Sequence, residues 1–237
     1  MLKLFIGPTL FSIAMGFLEA AVVVYLRLLY YPNGFDFPME PVIAMEANVI
    51  VIEFFRELAT IIMLLYVGIS SGKNNQEQFA FFLFCFAIWD IFYYVFLYLT
   101  LSWPSSLFTW DLLFLIPVPW IGPVITPVII SLIMILLSFI LVKSSRSSNP
   151  LILNRKEWTL LISGSVVVIL SWTIDYLDFV YQKHDTFSIW NISNEDMNVL
   201  SLQYIPIDFY WRTFIVGVFI IAAAILSFWL RMRKTSS

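Results

Sequence analysis

Residues 79–100 read FAFFLFCFAIWDIFYYVFLYLT and contain a single charged side chain, Asp90. About 20 mostly apolar residues are enough for a helix to cross the hydrocarbon core of a bilayer. Polar residues at 70–75 precede this run and separate it from another apolar stretch. The run therefore predicts a transmembrane helix at about 78–102.

Five further stretches have the same apolar character, and with the first they predict six spans. Hydrophobic residues make up 61% of the 237 residues and charged residues only 12%, about half of the share in a soluble domain. We expect an all-α fold, a polytopic membrane helical bundle in a single transmembrane domain, 1–237. The predicted spans lie at about 4–30, 46–70, 78–102, 120–142, 158–181 and 207–230.

The basic residues predict how the bundle is oriented. Nine of them fall on one side of a six-span arrangement, whereas only Lys183 falls in a connection on the other side. Because cytoplasmic loops carry an excess of lysine and arginine, both termini are expected in the cytoplasm. We expect the bacterial cytoplasmic membrane. The nine residues are Lys3, Lys73, Lys143, Arg146, Arg155, Lys156, Arg231, Arg233 and Lys234.

A proline-rich segment before the fourth helix does not follow the simple pattern. Residues 107–119, with the stretch that follows them, include Pro117, Pro119, Pro123 and Pro127. Prolines at this density break a helix, so the segment is expected to be interfacial or re-entrant, with the span beginning near Trp120. The alternative is a kinked helix end with Trp110 and Trp120 as interfacial anchors.

Apart from Glu46 at the first position of its span, ten charged residues lie inside the predicted spans, where each costs roughly 2.5–3.5 kcal/mol at the bilayer centre. Three arginines can neutralise three of the seven acids, so four carboxylates must be protonated, hydrated or bound to a cation. On helical geometry, five of the six helices carry a polar face, and the fourth does not. The fourth helix is therefore expected to be peripheral or to pack by shape alone. The ten residues are Glu19, Arg27, Glu53, Arg56, Glu57, Asp90, Asp175, Asp178, Asp208 and Arg212.

These residues define the candidate site, a carboxylate and arginine pocket in the outer half of the bilayer. Asp208 and Arg212, four residues apart, are expected to form a structural ion pair. Arg56 could instead bridge Glu53 and Glu57 as an internal structural link. Arg27 is expected to extend toward the outer interface. The pocket is predicted from Glu19, Glu53, Arg56, Glu57, Asp90, Asp175 and Asp178.

The composition argues against several cofactors and partners. With one histidine, one cysteine and no Walker or Rossmann glycine pattern, haem, zinc and nucleotide are not expected. A hard divalent cation is compatible with oxygen ligands from Glu19, Glu53, Glu57 and Asp90. A formal charge of -3 without a basic patch argues against nucleic acid, and leaves the lipid bilayer and a membrane-protein partner.

Three functional hypotheses follow. The first is binding or translocation of a cation, a proton or a small polar solute in the outer pocket. The second is an intramembrane enzyme that acts on a lipid or isoprenoid, with paired carboxylates as general acid and base. The third is a non-catalytic subunit of a larger membrane complex.

Overall fold

The computed structural model describes residues 2–31, 35, 47–114, 118–184 and 204–236. These residues form six long helices and a two-stranded hairpin, preceded by a short 3-10 helix at Leu2–Leu4. The hairpin adds strands to the helical fold that the sequence predicts. The helices are α1 (Ile6–Tyr30), α2 (Ala47–Ser71), α3 (Asn75–Leu101), α4 (Ile125–Ser145), α5 (Arg155–His184) and α6 (Trp211–Ser236).

Five of these helices, all except α2, are long and apolar enough to cross a membrane. Helix α2 has the same length as α1, 25 residues, but carries Glu53, Arg56 and Glu57 close together. Large apolar side chains on the outside of the bundle are exposed, as expected for a surface that faces lipid tails. The chain is therefore an integral membrane protein.

Helix α3 lies at the centre of one group of helices and contacts α1, α2 and α4. Helices α5 and α6 form a second packed pair, which α4 joins to the first group through α6. The α5–α6 contact is close because two glycines face each other. A Cβ atom at Gly217 would lie 3.0 Å from the carbonyl oxygen of Gly164.

Helix α4 is not peripheral, and the expectation drawn from its missing polar face was wrong. Leu137, Leu141 and Val142 belong to the largest buried apolar cluster. The hydroxyl groups of buried Ser131 and Thr126 reach side chains of other helices. Serine and threonine were too weakly polar to mark a face in the sequence, yet they bond readily across helices.

A β-hairpin stands where the sequence predicts an interfacial or re-entrant segment. Strand β1 (Trp110–Phe114) pairs with strand β2 (Trp120–Pro123) in antiparallel fashion, so the alternative of a kinked helix end was wrong. Helix α4 begins at Ile125 and not near Trp120, because the backbone of 120–123 pairs with β1. Residues 115–117 of the predicted segment lie outside the described residues.

The hairpin is fixed against α5 by aromatic packing. The rings of Trp120 and Trp172 stack with centroids 5.6 Å apart, and the Trp172 indole nitrogen donates to Thr126 Oγ1 at 2.8 Å. A Cβ atom at Gly122 would lie 2.9 Å from Trp172 Cδ1, so this approach requires glycine. We call this end of the bundle, with the hairpin and the C-terminal ends of α1, α3 and α5, the hairpin end.

The opposite end, where α3 and α5 begin and α4 and α6 end, we call the basic end. Glu77 and Glu157 are each almost fully buried there, and each accepts two hydrogen bonds from one arginine, Arg146 and Arg231 respectively, at 2.7–2.8 Å. The bond to the Glu77 carboxylate raises the pKa of Arg146. These ion pairs fasten α3 to α4 and α5 to α6.

Candidate functional site

The charged residues at the middle of the bundle form a cluster between α1 and α2, which we call the glutamate cluster. Arg56 donates to Glu53 Oε2 from Nε at 2.8 Å and from Nη2 at 2.6 Å, and it also donates to Glu19. The Thr60 hydroxyl donates to Glu19 Oε2 at 3.3 Å. Both glutamates are buried, so a single guanidinium group serves two carboxylates.

Part of this arrangement follows from helix geometry. Glu53, Arg56 and Thr60 lie three and four residues apart, so they share one side of α2. That side packs against the α1 face that carries Glu19, next to the close α1–α3 contact at Gly16. Glu57 is also buried on α2.

A second group, the aspartate cluster, lies toward the hairpin end. It is centred on Asp111 of β1, which is 2% exposed. Arg27 Nη2 donates to Asp111 Oδ1 at 3.5 Å, and the Tyr94 hydroxyl donates to Asp111 Oδ2 at 3.1 Å. Asp90, partly buried on α3, accepts a hydrogen bond from Ser131 at 2.8 Å. Elements α1, α3, α4 and β1 therefore all contribute to this cluster.

The electrostatics of the aspartate cluster are dominated by burial. Removal from water raises the pKa of Asp111 to about 6, although Arg27 and the Tyr94 hydroxyl act in the opposite direction. Among the described residues, no lysine or arginine lies within ion-pair distance of Asp90. Within the described residues of this cluster, Arg27 therefore pairs with Asp111, and Asp90 has no cation at that distance.

Arg27 is held between aromatic rings as well as by Asp111. Its guanidinium carbon lies 3.7 Å from the ring centroid of Trp103 and 4.5 Å from that of Phe35. Such stacking stabilises a desolvated cation. The sequence had suggested that Arg27 extends toward the outer interface. In the structure Arg27 is buried and does not extend freely to the interface.

The same two aromatic residues border a cavity at the hairpin end. Its volume is about 350 Å3. Ser105 and Thr109 contribute hydroxyl groups to its wall, and Trp110 contributes a third aromatic ring. Because Trp103 and Phe35 contact both the cavity and Arg27, the cavity lies next to the aspartate cluster.

The two clusters are electrostatically coupled. The Tyr93 side chain lies within electrostatic range of Glu19 and Arg56 on one side and of Arg27 and Asp111 on the other. Asp90 and Asp111 likewise interact with each other. The clusters therefore form one charged network along α1 and α3.

Not all of the residues predicted for the pocket join this network. Asp175 accepts a hydrogen bond from Tyr204, and exposed Asp178 accepts one from Tyr210 at 3.1 Å. Both acids lie on α5, which packs on α6 and on β2 rather than on α1 or α2. The seven residues thus occupy separate places: the glutamate cluster, the α3–α4 contact, and the end of α5.

The expected ion pair between Asp208 and Arg212 does not form. Asp208 lies before α6 begins at Trp211, so the two residues are not one turn apart on a helix. Both side chains are exposed, and no ion pair in the described part of the chain joins them.

The predicted metal ligands are also not gathered. Within the described ranges, no three side chains of the types histidine, cysteine, aspartate and glutamate lie close enough to hold a metal ion. Glu19 and Glu53 are both engaged by Arg56, and Asp90 lies across α3, bonded to α4.

Sequence reasoning missed three buried acids. Asp111 lies in the segment 107–119, where nothing indicated a hairpin that folds back onto the bundle. Glu77 and Glu157 could have been found, because each lies three residues after an asparagine, a pattern that marks the start of a helix. In both cases the asparagine side chain accepts from the glutamate backbone N–H, at 3.0 and 2.9 Å.

The fold and the site together define a class: a helical membrane protein with charged side chains buried between its helices. Comparison with protein-family models, with curated proteins and with solved structures found no match to this chain.

Proposed function

We propose that this protein binds and moves a proton, or a small cation or polar solute in its place, by way of the aspartate cluster. The observation that carries the proposal is an excess of acid. Among the described residues that hydrogen-bond within the two clusters, four acids accompany two arginines. Three of these acids are buried and Asp90 is partly buried. A surplus carboxylate in a low-dielectric site is stable only when it takes up a proton, water or a cation.

The aspartate cluster is the better candidate for the exchange step. In the glutamate cluster, Arg56 donates to both Glu19 and Glu53, an arrangement that suits a structural role. In the aspartate cluster, Asp90 accepts from the Ser131 hydroxyl group with no arginine within ion-pair distance. Asp111 accepts from the Tyr94 hydroxyl group and, at the longer distance of 3.5 Å, from Arg27. A carboxyl group with a hydroxyl partner keeps that partner in either protonation state, because a hydroxyl group both donates and accepts.

The cavity at the hairpin end provides the access route in this proposal. Ions or water would collect against Ser105 and Thr109, and would reach Asp111 when the Trp103 and Phe35 side chains move away from Arg27. Side-chain rotation of this kind is fast compared with transport.

We infer that α2 is also a span, so that six helices cross the membrane and both termini lie in the cytoplasm, with the hairpin outside. Two observations support this topology. Glu19 of α1, Arg56 of α2 and Asp111 of β1 are paired within the bundle and not with solvent, so the α2 charges face away from lipid. Arg146 and Arg231 lie at the basic end.

Cysteine labelling tests the topology. Cys85, the single cysteine, is buried and serves as a silent background. In intact cells, a membrane-impermeant thiol reagent is expected to label Ser105→Cys and to leave Ser148→Cys unlabelled until the membrane is opened. Labelling of Ser148→Cys from outside would overturn the orientation.

Proton flux into liposomes tests the function. Purified protein is reconstituted with a pH-sensitive dye in the lumen, and a pH gradient is imposed. We expect wild-type flux to fall by roughly a hundredfold in Asp111→Asn and Asp90→Asn, the scale of a positioned proton-transfer group. Asp208→Asn, which removes an exposed acid outside the network, serves as the matched control and should retain wild-type flux.

Two results would count against the proposal. Wild-type protein that moves neither protons nor sodium or potassium ions would contradict transport as a whole. Equal flux in wild type, Asp90→Asn and Asp111→Asn would remove the aspartate cluster from the path. The intramembrane enzyme and the complex subunit stay predictions, since no contact in the described part of the chain favours either.

A further inference from the structure

A groove opens on the outside of the bundle at the basic end, between the beginning of α1 and the helices α3 and α4. Its volume is about 360 Å3, and apart from Thr9 its lining consists of aliphatic and aromatic side chains. Phe5, Phe84 and Phe139 form the floor, with the Phe5 and Phe139 ring centroids 4.6 Å apart. Leu2, Ile6 and Leu10 form an exposed wall. The groove is therefore open to the lipid side and offers almost no polar group.

Two lysines belong to elements that line the groove, each close in sequence to a lining residue, and they come from distant parts of the chain. Lys3 adjoins Leu2 of the wall, and Lys143 lies one turn beyond Phe139 of the floor, on the same face of α4. Both lysine side chains are exposed. No described acid lies within ion-pair distance of either lysine.

We propose that the groove binds one acyl chain of an anionic phospholipid, whose phosphate group lies between Lys3 and Lys143. The apolar groove excludes a peptide backbone and a hydrated ion, because the polar groups of neither would find hydrogen-bond partners there. A hydrocarbon chain has no such requirement. The lysines lie at the basic end of the bundle, which the proposed orientation places among lipid head groups, and their charge selects an anionic one.

This site is separate from the charged network and does not depend on the proposed transport. The groove is lined by residues of α1 as far as Leu10, whereas the network begins at Glu19, about two and a half turns further along the helix. The lipid could bind even if the protein transports nothing, and transport could occur without the bound lipid.

Native mass spectrometry of the detergent-solubilised protein tests the proposal. Phosphatidylglycerol and phosphatidylcholine with identical acyl chains are supplied separately, and retained lipid is counted at increasing collision energy. We expect phosphatidylglycerol to be retained preferentially. The double variant Lys3→Gln/Lys143→Gln should lose about 25-fold in its apparent affinity, since each lysine near an anionic lipid contributes on the order of fivefold.

Two further variants separate the groove from general surface charge. Arg155→Gln/Lys156→Gln removes two exposed charges from α5 at the same end, outside the groove, and should retain wild-type binding. Thr9→Trp places a large ring in the groove and should reduce retention of phosphatidylglycerol although both lysines are intact. Equal retention of the two lipids, equal loss in both double variants, or unchanged binding in Thr9→Trp would each overturn the proposal.

Discussion

Replacement of Arg56 by methionine is expected to lower the free energy of unfolding by about 3–5 kcal/mol, the largest effect of any single substitution proposed for this protein. Arg56 donates three hydrogen bonds to Glu19 and Glu53. Without the guanidinium group these two buried carboxylates are left without a cation. Breaking a buried ion pair costs more than the pair contributes, because the remaining charge stays desolvated.

Cys85 gives the measurement for this prediction. A dye that fluoresces on reaction with a thiol reports thermal unfolding in detergent, because the only cysteine is buried in the folded protein. Arg212→Met, which removes an exposed arginine, is the matched control and should unfold at the wild-type temperature. The triple variant Glu19→Gln/Glu53→Gln/Arg56→Met removes all three charges and should recover much of the loss. A single variant as stable as Arg212→Met would show that the cluster is not held by this ion pair.

The second large effect is a dependence of stability on pH that originates from Asp111. Burial raises its pKa from 3.8 to about 6 in the folded protein. Between these two values the folded state binds a proton that the unfolded state does not. The free energy of unfolding contributed by this group therefore increases as the pH falls through 6 toward 4, by about 3 kcal/mol in total. Most buried acids that are paired with arginine behave in the opposite way.

Thermal unfolding in detergent between pH 7 and pH 5 checks this sign. Asp111 faces Arg27, Tyr94 and Asp90, and Asp111→Asn removes only its own ionisation while the amide can still bond to Tyr94. Wild type is expected to become more stable toward pH 5, and Asp111→Asn is expected to show a smaller gain than wild type. Asp208→Asn should follow wild type. A gain of the same size in Asp111→Asn would assign the pH dependence to other groups.

The helices could be predicted from the sequence because each depends on a local property. A run of about 20 apolar residues is visible without knowledge of its neighbours, and the observed helices begin and end within six residues of the predicted spans. Even the charge excess was foreseeable, since it follows from counting acids and arginines inside apolar runs. It stays a prediction that six helices cross the membrane.

The partners of each charge could not be predicted, because they depend on which helices meet. A helical face shows that Arg56 lies beside Glu53, but its contact with Glu19, 37 residues away, depends on how α1 packs on α2. Asp175 also appeared on a polar face, yet α5 packs on α6, so this acid meets Tyr204 instead. The periodicity of side chains shows on which side of its own helix a residue lies. It does not show which neighbouring helix packs against that side.

Asp111 was missed for a different reason. Its burial results from a hairpin that returns to the bundle and fixes one acid under Arg27 and Tyr94. The hairpin consists of one strand of five residues and one of four. The prolines next to these strands predict an irregular segment. Short strands have little periodicity to detect.

We infer that the aspartate cluster holds a carboxyl group that exchanges a proton near neutral pH. Infrared difference spectroscopy of the reconstituted protein, between pH 7 and pH 5, tests this inference, because the C=O stretch of a protonated carboxyl group in an apolar site is separate from that of a carboxylate. We predict that this band grows toward pH 5 in wild type and in Asp208→Asn, is smaller in Asp111→Asn, and is lost in Asp90→Asn/Asp111→Asn. A wild-type spectrum without the band, or a band of wild-type size in Asp90→Asn/Asp111→Asn, would show that the aspartate cluster does not exchange this proton.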